Sequence, residues 1–353
     1  MHHIIPILMT IPILMAAPEQ SVVQPTVTIS ITATGDCTLG NDTKMESPTC
    51  FNSTYRQNGP DYFFDNVRDI FERDDLTIIN LEGAMTTEGS KIPNKDWHFR
   101  SDPSYLEILT GSSVEAVSFA NNHCRDYGEV GYLDTMKHLE EAGILYSSEE
   151  LTCVTDINGI PVGMISIQAA YRTGDTVKDK EYYDTQFLMD LTDQCIADVK
   201  KKGAKLILVN FHWGVETKYT PSTQQKELGH HAIDAGANLV IGHHPHRIQP
   251  VEYYNGCYIL YSLGNFCFGG NSNPKDKDTF IWRQYFTFLD GHLQQESPAI
   301  LVPCSISSTS ARNDFKPTLA AGPEATRIWK KINDLSAPYG VYFADVSGLA
   351  THH

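Results

Sequence analysis

The chain predicts an α/β fold in which strands of a buried sheet alternate with helices. Two observations carry this. Short β-branched and apolar runs recur along the 353 residues and stop abruptly at Gly or polar residues. Between them lie stretches with apolar side chains at helical spacing. Length fits one large domain at residues 26–353, with a C-terminal hairpin and extension, preceded by a distinct segment at 1–25.

That first segment is apolar from Ile4 to Ala17, broken by Pro6 and Pro12. It falls short of the roughly twenty apolar residues of a membrane span. Ala16 and Ala17 offer a small-residue cleavage site, so a secretory signal peptide or a short anchor is expected, with residues 19–24 as a polar linker. Its n-region has only His2 and His3 instead of basic charge, and Pro18 disfavours cleavage after Ala17. An extracellular or cell-surface location follows.

The elements then come in order. A strand at 27–33 runs into Thr34-Gly35-Asp36. Residues 61–73 place Phe63, Phe64, Val67, Ile70 and Phe71 on one helical stripe. A strand at 76–79 ends in Asn80-Leu81-Glu82, and a short helix from Pro103 to residue 109 stops at Gly111. The strand at 114–119 ends in Ala120-Asn121-Asn122-His123, with Asp126 close behind. Val130, Leu133, Met136 and Leu139 line a helix that closes at Gly143. Residues 187–202 form another helix, whose Lys200, Lys201 and Lys202 complement the macrodipole in the last turn. A strand at 206–209 meets Asn210-Phe211-His212-Trp213-Gly214, with Glu216 beyond. A helix at 224–235 carries His230 and His231 as surface or packing residues. Leu239, Val240 and Ile241 end at Gly242, and His243, His244 and His246 follow. Beyond Val251 the pattern turns to hairpins, with Asn255-Gly256 and Asp290-Gly291 as tight-turn signals. Runs at 280–289 and 299–306 should pair across the second turn. Ser262 and Asn265, in YSLGNF, fit either a site contact or a strand turn. The loop at 267–278, rich in Gly, Asn, Pro and Asp, is a candidate lid.

Five strand ends thus carry Asp, Glu, Asn or His. Ligands of open α/β sheets gather beyond the carboxyl ends of strands, and neutral imidazole is the commonest metal ligand. Taken singly, Asp36 also fits a turn or cap, and His123 an interior hydrogen-bonded histidine. Repetition at five strand ends favours a shared site. Carboxylates and amides mixed with imidazoles suit Mn, Fe or Zn better than Ca.

Charge bounds the partners. Twenty-seven basic and 43 acidic residues give −16, which argues against nucleic acid and against an anionic membrane surface. An anionic ligand would need local positive charge, from bound metal or from Arg247 or Arg100. The eight cysteines form no C-x-x-C pair, so they read mostly as buried small hydrophobes, although an even number permits disulfides. Cys37 and Cys124 directly follow candidate site residues.

GDCTLG, NLEGAMT, ANNHCRDYG, HWGVE, GHHPHRIQPVEYYNG and YSLGNFCF, spread from Ile31 to Phe268, resemble the motif series of the CapA/PgsA family of poly-γ-glutamate capsule synthesis. That family is similar to the calcineurin-like metallophosphoesterases, which implies a four-layer α/β/β/α sandwich around one or two divalent ions. The resemblance makes Asp36, Glu82, Asn122, His212, His244 and His246 metal ligands, with Glu82 bridging. It makes His123 the acid or phosphate ligand, with Asp126 and Glu216 as further catalytic candidates. Asn80, His243, Arg247 and Asn265 are then candidates for substrate contact. One departure stands out: Thr38 sits where those enzymes carry a histidine ligand. A site short of one ligand would recruit Glu216, Asp126 or Cys37, or stay empty. Two functions follow as expectations. One is a metal-dependent hydrolase-type site acting on poly-γ-glutamate or its precursors. The other is a non-catalytic component that binds the polymer or anchors membrane capsule-synthesis partners.

Overall fold

The computed structural model describes residues 26–170, 184–294, 298–343 and 350–352. The expected leader and linker at 1–25 lie outside the described residues. Among those described, no helix is long and apolar enough to cross a membrane.

Two sheets form the centre. The first runs in the order Thr318–Leu319, Ala299–Ser305, Asp278–Leu289, Thr26–Cys37, Leu76–Leu81, Ala116–Phe119 and Leu145–Ser148, with His292–Leu293 beside Asp278–Leu289. The second runs Val251–Tyr254, Cys257–Leu260, Leu239–His243, Leu206–His212, Ile160–Gln168 and Cys153–Ile157. Thr26–Cys37, Leu76–Leu81 and Ala116–Phe119 are mutually parallel, as are Ile160–Gln168, Leu206–His212 and Leu239–His243.

Alternation along each strand sorts side chains into layers. Ile29, Ile31, Leu76, Ile78 and Ala116 meet Val162, Met164, Leu206, Leu208, Leu239 and Ile241 in one core between the sheets. Their odd-numbered or even-numbered neighbours face outward. Ile79, Leu81, Val117 and Phe119 pack on Phe51, Phe63, Phe71, Leu109, Tyr132 and Leu139. On the far side, Ile165, Ile167, Ile207, Val209 and Val240 pack on Leu188, Ile196, Val199, Leu228 and Ala232 from helices Thr185–Lys201 and Thr223–Ala235. Both faces of the inner strands are therefore buried, which is why they read as continuous apolar runs. The architecture is the expected α/β/β/α sandwich. Helix Gly322–Ser336 adds Ile328 and Ile332 to the central core.

Both hairpin turns form as expected. Asn255 and Gly256 have φ of 46° and 86°, Asp290 and Gly291 of 50° and 72°, the positive pair that matches strand twist. Asp278–Leu289 pairs antiparallel with Ala299–Ser305, setting Phe280 opposite Pro303. His230 and His231 are surface residues paired with Glu252 and Asp193.

Two helix expectations need correction. Residues 61–73 do not make one helix: a 3-10 turn at Pro60–Tyr62 and a single turn at Arg68–Phe71 flank irregular backbone. Aromatic packing decides the path here, with Phe63 stacked on Phe51 at 4.5 Å and Phe64 edge-on to Phe71 at 5.8 Å. Helix Gly128–Glu141 buries only part of the face its apolar residues suggest, Leu139 fully and Met136 in part. Val130 and Leu133 are exposed, while Tyr132, Thr135 and Leu139 point inward. Tyr132 stacks on Phe119 at 5.2 Å, and Thr135 Oγ1 accepts the Met85 amide at 3.0 Å, so a polar contact turns this face toward the sheet.

Candidate metal centre

The carboxyl ends of both inner strand groups meet on one rim. Asp36 closes Thr26–Cys37, Glu82 follows Leu76–Leu81, and His212 and His243 end the neighbouring strands of the second sheet. Two glycines let the backbones approach. A Cβ on Gly35 would lie 2.0 Å from the Gly264 carbonyl oxygen, and one on Gly242 would lie 2.2 Å from that of Tyr261. Through the first approach the Asp36 amide donates to Gly264 O at 2.9 Å, and the Phe266 amide donates to Asp36 O at 2.8 Å. His244 and His246 have φ of 94° and 53°. Non-glycine residues in that region carry a strain of about 1–3 kcal/mol and concentrate at functional sites.

Asp36 is the hub. Its Oδ2 lies 3.1 Å from His246 Nδ1 and its Oδ1 lies 3.4 Å from His243 Nδ1. Asn80 Nδ2 donates to Asp36 Oδ1 at 2.9 Å and also approaches His212 Nδ1 at 3.4 Å. His212 Nε2 sits 3.0 Å from Asn122 Oδ1, and Asn265 Oδ1 sits 2.8 Å from His246 Nδ1. Glu82 Oε1 is 3.7 Å from both His212 Nε2 and His246 Nε2, too far for a hydrogen bond.

The charges of this rim are strongly coupled to burial. Burial disfavours the Asp36 carboxylate, but His243 and His246 outweigh it and hold its pKa well below the ordinary range. Burial drives Glu82 well above its usual value, with His246 opposing and Asp36 adding to the rise. Burial lowers His246, yet Glu82 and Asp36 outweigh it and push the imidazole up to about 9. His244 is pushed down to about 3, first by burial and then by His246. Burial likewise holds His212 well below its usual value. The pocket thus keeps the imidazoles of His212 and His244 neutral beside the ionised Asp36.

Both Glu82 oxygens and His244 Nδ1 are buried without a hydrogen-bond partner. An orphaned buried carboxylate is costly and calls for an explanation such as an ion. Three groups supply one: Glu82, His212 and His244; Asp36, Glu82 and His246; and Glu216, His244 and His246, each with donor atoms within 4.8 Å of one another. Mixed nitrogen and oxygen donors of this kind fit a divalent cation.

The other expected residues divide. His123 and Asp126 form a pair at 2.7 Å, with the Phe99 amide donating to the same Asp126 oxygen at 2.6 Å. Arg247 turns aside: its Nη1 donates to the His246 carbonyl and its Nε faces Asp276 at 4.0 Å. Arg100 lies over the Tyr127 ring and donates to the Glu88 carbonyl. Thr38 is committed elsewhere, donating to Gly40 O at 2.9 Å and accepting from the Gly269 amide at 2.7 Å. Cys37 is a buried thiol whose pKa burial pushes upward, so it offers no ready thiolate.

Sequence reasoning passed over Lys95, Phe99 and Phe268. Phe99 packs on the His123 ring at 4.3 Å and Phe268 on the His246 ring at 4.8 Å. Lys95, nearly fully buried, reaches Asp126 Oδ1 at 2.5 Å. It sits in an aperiodic loop far from its partners along the chain, where no local pattern marks it.

Comparison with known proteins agrees with the motif series. The family model for bacterial capsule synthesis protein PGA_cap matches residues 30–270. The PGA biosynthesis protein CapA of Bacillus subtilis (strain 168) is 30% identical over 221 residues, covering 60% of this chain and 58% of that protein. The capsule biosynthesis protein CapA of Bacillus anthracis is 29% identical over 300 residues, covering 80% and 69%. The matched region thus spans little more than half of the first relative's length. Among solved structures, the calcineurin-like phosphoesterase YfkN from Bacillus subtilis superposes with a TM-score of 0.43 at 15% identity, over 82% of this chain and 95% of that one. A likeness at that level says nothing of chemistry. The breadth of the family match does decide the relationship, and the chain belongs to the bacterial capsule synthesis protein PGA_cap family.

Proposed function

We propose that this protein is a cell-surface component of poly-γ-glutamate capsule synthesis or processing that carries a metal-dependent hydrolase-type site. The observation behind it is the buried, unpartnered Glu82 carboxylate among His212, His244 and His246. Asp36, Glu82, His212, His244 and His246, with Asn122 beside His212, would hold one or two ions of Mn, Fe or Zn. When bound, such an ion supplies Lewis-acid polarisation of an ester or amide oxygen.

The chain's own groups do the rest. Asp126 faces His123 Nδ1 and so directs Nε2 of that ring away from itself, toward a leaving group that takes a proton. Burial opposes the charge of Asp126, but His123 and Lys95 keep its pKa below the ordinary range, so the carboxylate remains an acceptor. Glu216 lies exposed beside His244 and His246, the position of a base open to solvent. Phe99 and Phe268 shield the rings of His123 and His246 from water. An anionic polymer meets repulsion from a body of charge −16, so its attraction is local, to the ion. Asn80, His243 and Asn265 line or brace the same rim, and membrane-bound capsule-synthesis proteins are the expected partners.

A second reading keeps the rim but drops the chemistry: a polymer-binding or anchoring component. The engagement of Thr38 with Gly40 and Gly269 favours it, because that side chain is not free to serve as a ligand. Metal analysis combined with phosphodiester and γ-glutamyl substrates separates the two. Near-stoichiometric transition metal that is lost in Glu82→Gln, together with turnover, supports the hydrolase. Fully loaded protein that is inert on every substrate refutes it.

A further inference from the structure

Lys95 is a lysine with a side chain only 3% exposed, in a protein of net charge −16. Its Nζ donates to two acceptors on the turn that follows Ala116–Phe119. One is the main-chain carbonyl of Asn122, the other Asp126 Oδ1 at 2.5 Å. The second oxygen of Asp126 holds His123 Nδ1 at 2.7 Å and the Phe99 amide at 2.6 Å. The side chain of Asn122 meets His212 Nε2 at 3.0 Å. A single ammonium therefore grips Asn122, which precedes His123, and Asp126, which bonds the His123 ring.

Stability alone is a poor reason to keep such a group. Desolvating an ammonium and a carboxylate offsets most of their attraction, and a well-packed apolar pair does as well or better. What the pair does supply is direction. Asn122 lies in a turn outside regular secondary structure, and its carbonyl has to be tied down for its amide oxygen to stay beside His212. Groups that orient the ligands of a metal are worth roughly 10–100-fold in affinity.

We propose that Lys95 is a positioning residue of the rim, fixing Asn122 next to His212 and the His123 ring against Asp126. The metal-affinity half of this rests on the reading that the rim binds a divalent cation, while the geometric half does not. Both halves are tested on the same variants: Lys95→Met, Lys95→Arg, and Lys95→Gln, which keeps a polar end beside Asp126 should Lys95→Met fail to fold.

In metal-free protein, imidazole NMR should show a downfield, slowly exchanging proton from the His123–Asp126 bond. Lys95→Met or Lys95→Gln should lose that protection, and Lys95→Arg should keep part of it. Cobalt(II) titrated into the same samples should bind at least about tenfold more weakly in Lys95→Met, with altered visible absorption bands. Unchanged imidazole protection and unchanged cobalt affinity in folded Lys95→Met or Lys95→Gln would overturn the proposal. Lost protection in a protein whose parent takes up no cobalt would sustain the positioning role and refute the metal reading instead.

Discussion

Asp36 Oδ2 lies 3.1 Å from His246 Nδ1 although 210 residues separate them, and the amide of His244 points at the same oxygen from 3.3 Å. One carboxylate thereby fixes the left-handed His244–His246 turn to the first strand of the other sheet. His246→Ala removes a donor shared by two of the three ligand groups, and Asp36→Asn removes the charge that orients it. Each should lower transition-metal content at least about tenfold, read by elemental analysis after gel filtration. His230→Ala, whose imidazole sits on the surface against Glu252, should retain wild-type metal. Equal loss in all three variants would show that the rim does not select the ion.

The strand ends were legible because a buried parallel strand must be apolar on both faces, so a chemistry-bearing residue can only stand where the apolar run stops. That rule locates Asp36, Glu82, Asn122 and His212 directly. Helix faces were harder. Thr135 faces inward because its hydroxyl satisfies the Met85 amide, and that debt of the neighbouring backbone leaves no mark in the helix's own periodicity. The break in residues 61–73 is set by rings from elsewhere, Phe51 above all. Lys95 answers to partners 27 and 31 residues away, beyond the reach of any local pattern.

Gly35 is the tightest backbone crossing at the rim. A methyl there would sit 2.0 Å from the Gly264 oxygen and 2.8 Å from its carbon, both main-chain atoms that cannot rotate away. Gly35→Ala should therefore displace Asp36 and cost about 3 kcal/mol or more. A thermal melt reads the loss. A variant melting with the parent would mean that the crossing is loose.

The thiols give a countable test of the fold. Cys37, Cys50, Cys124, Cys267 and Cys304 are buried, and burial pushes the pKa of Cys37, Cys267 and Cys304 upward. None of these five should react with an aromatic disulfide reagent at pH 8 in folded protein, because burial denies the reagent access to all of them. In denaturant without reductant all eight should titrate, since all eight are free in the described structure. Fewer than eight would reveal a disulfide and overturn the free-thiol state described here.

Glu115 carries a prediction about pH. Its Oε2 accepts the Thr77 amide at 2.8 Å, and burial, with Asp74 adding repulsion, pushes the carboxyl up to about 7. The unfolded value is about 4.3, so the folded chain holds a proton that the unfolded chain has lost between those limits. Stability from this group is therefore present at low pH and declines as pH rises from about 4 to 7. Glu115→Gln keeps an oxygen for the Thr77 amide and removes the charge. At pH 8 it should stabilise the protein by about 1 kcal/mol, well below the full shift because the side chain is only part buried. The gain in urea midpoint should shrink as pH is lowered toward 4. A variant that is less stable than the parent at pH 8 would show that the carboxylate is better accommodated beside Thr77 than its burial implies.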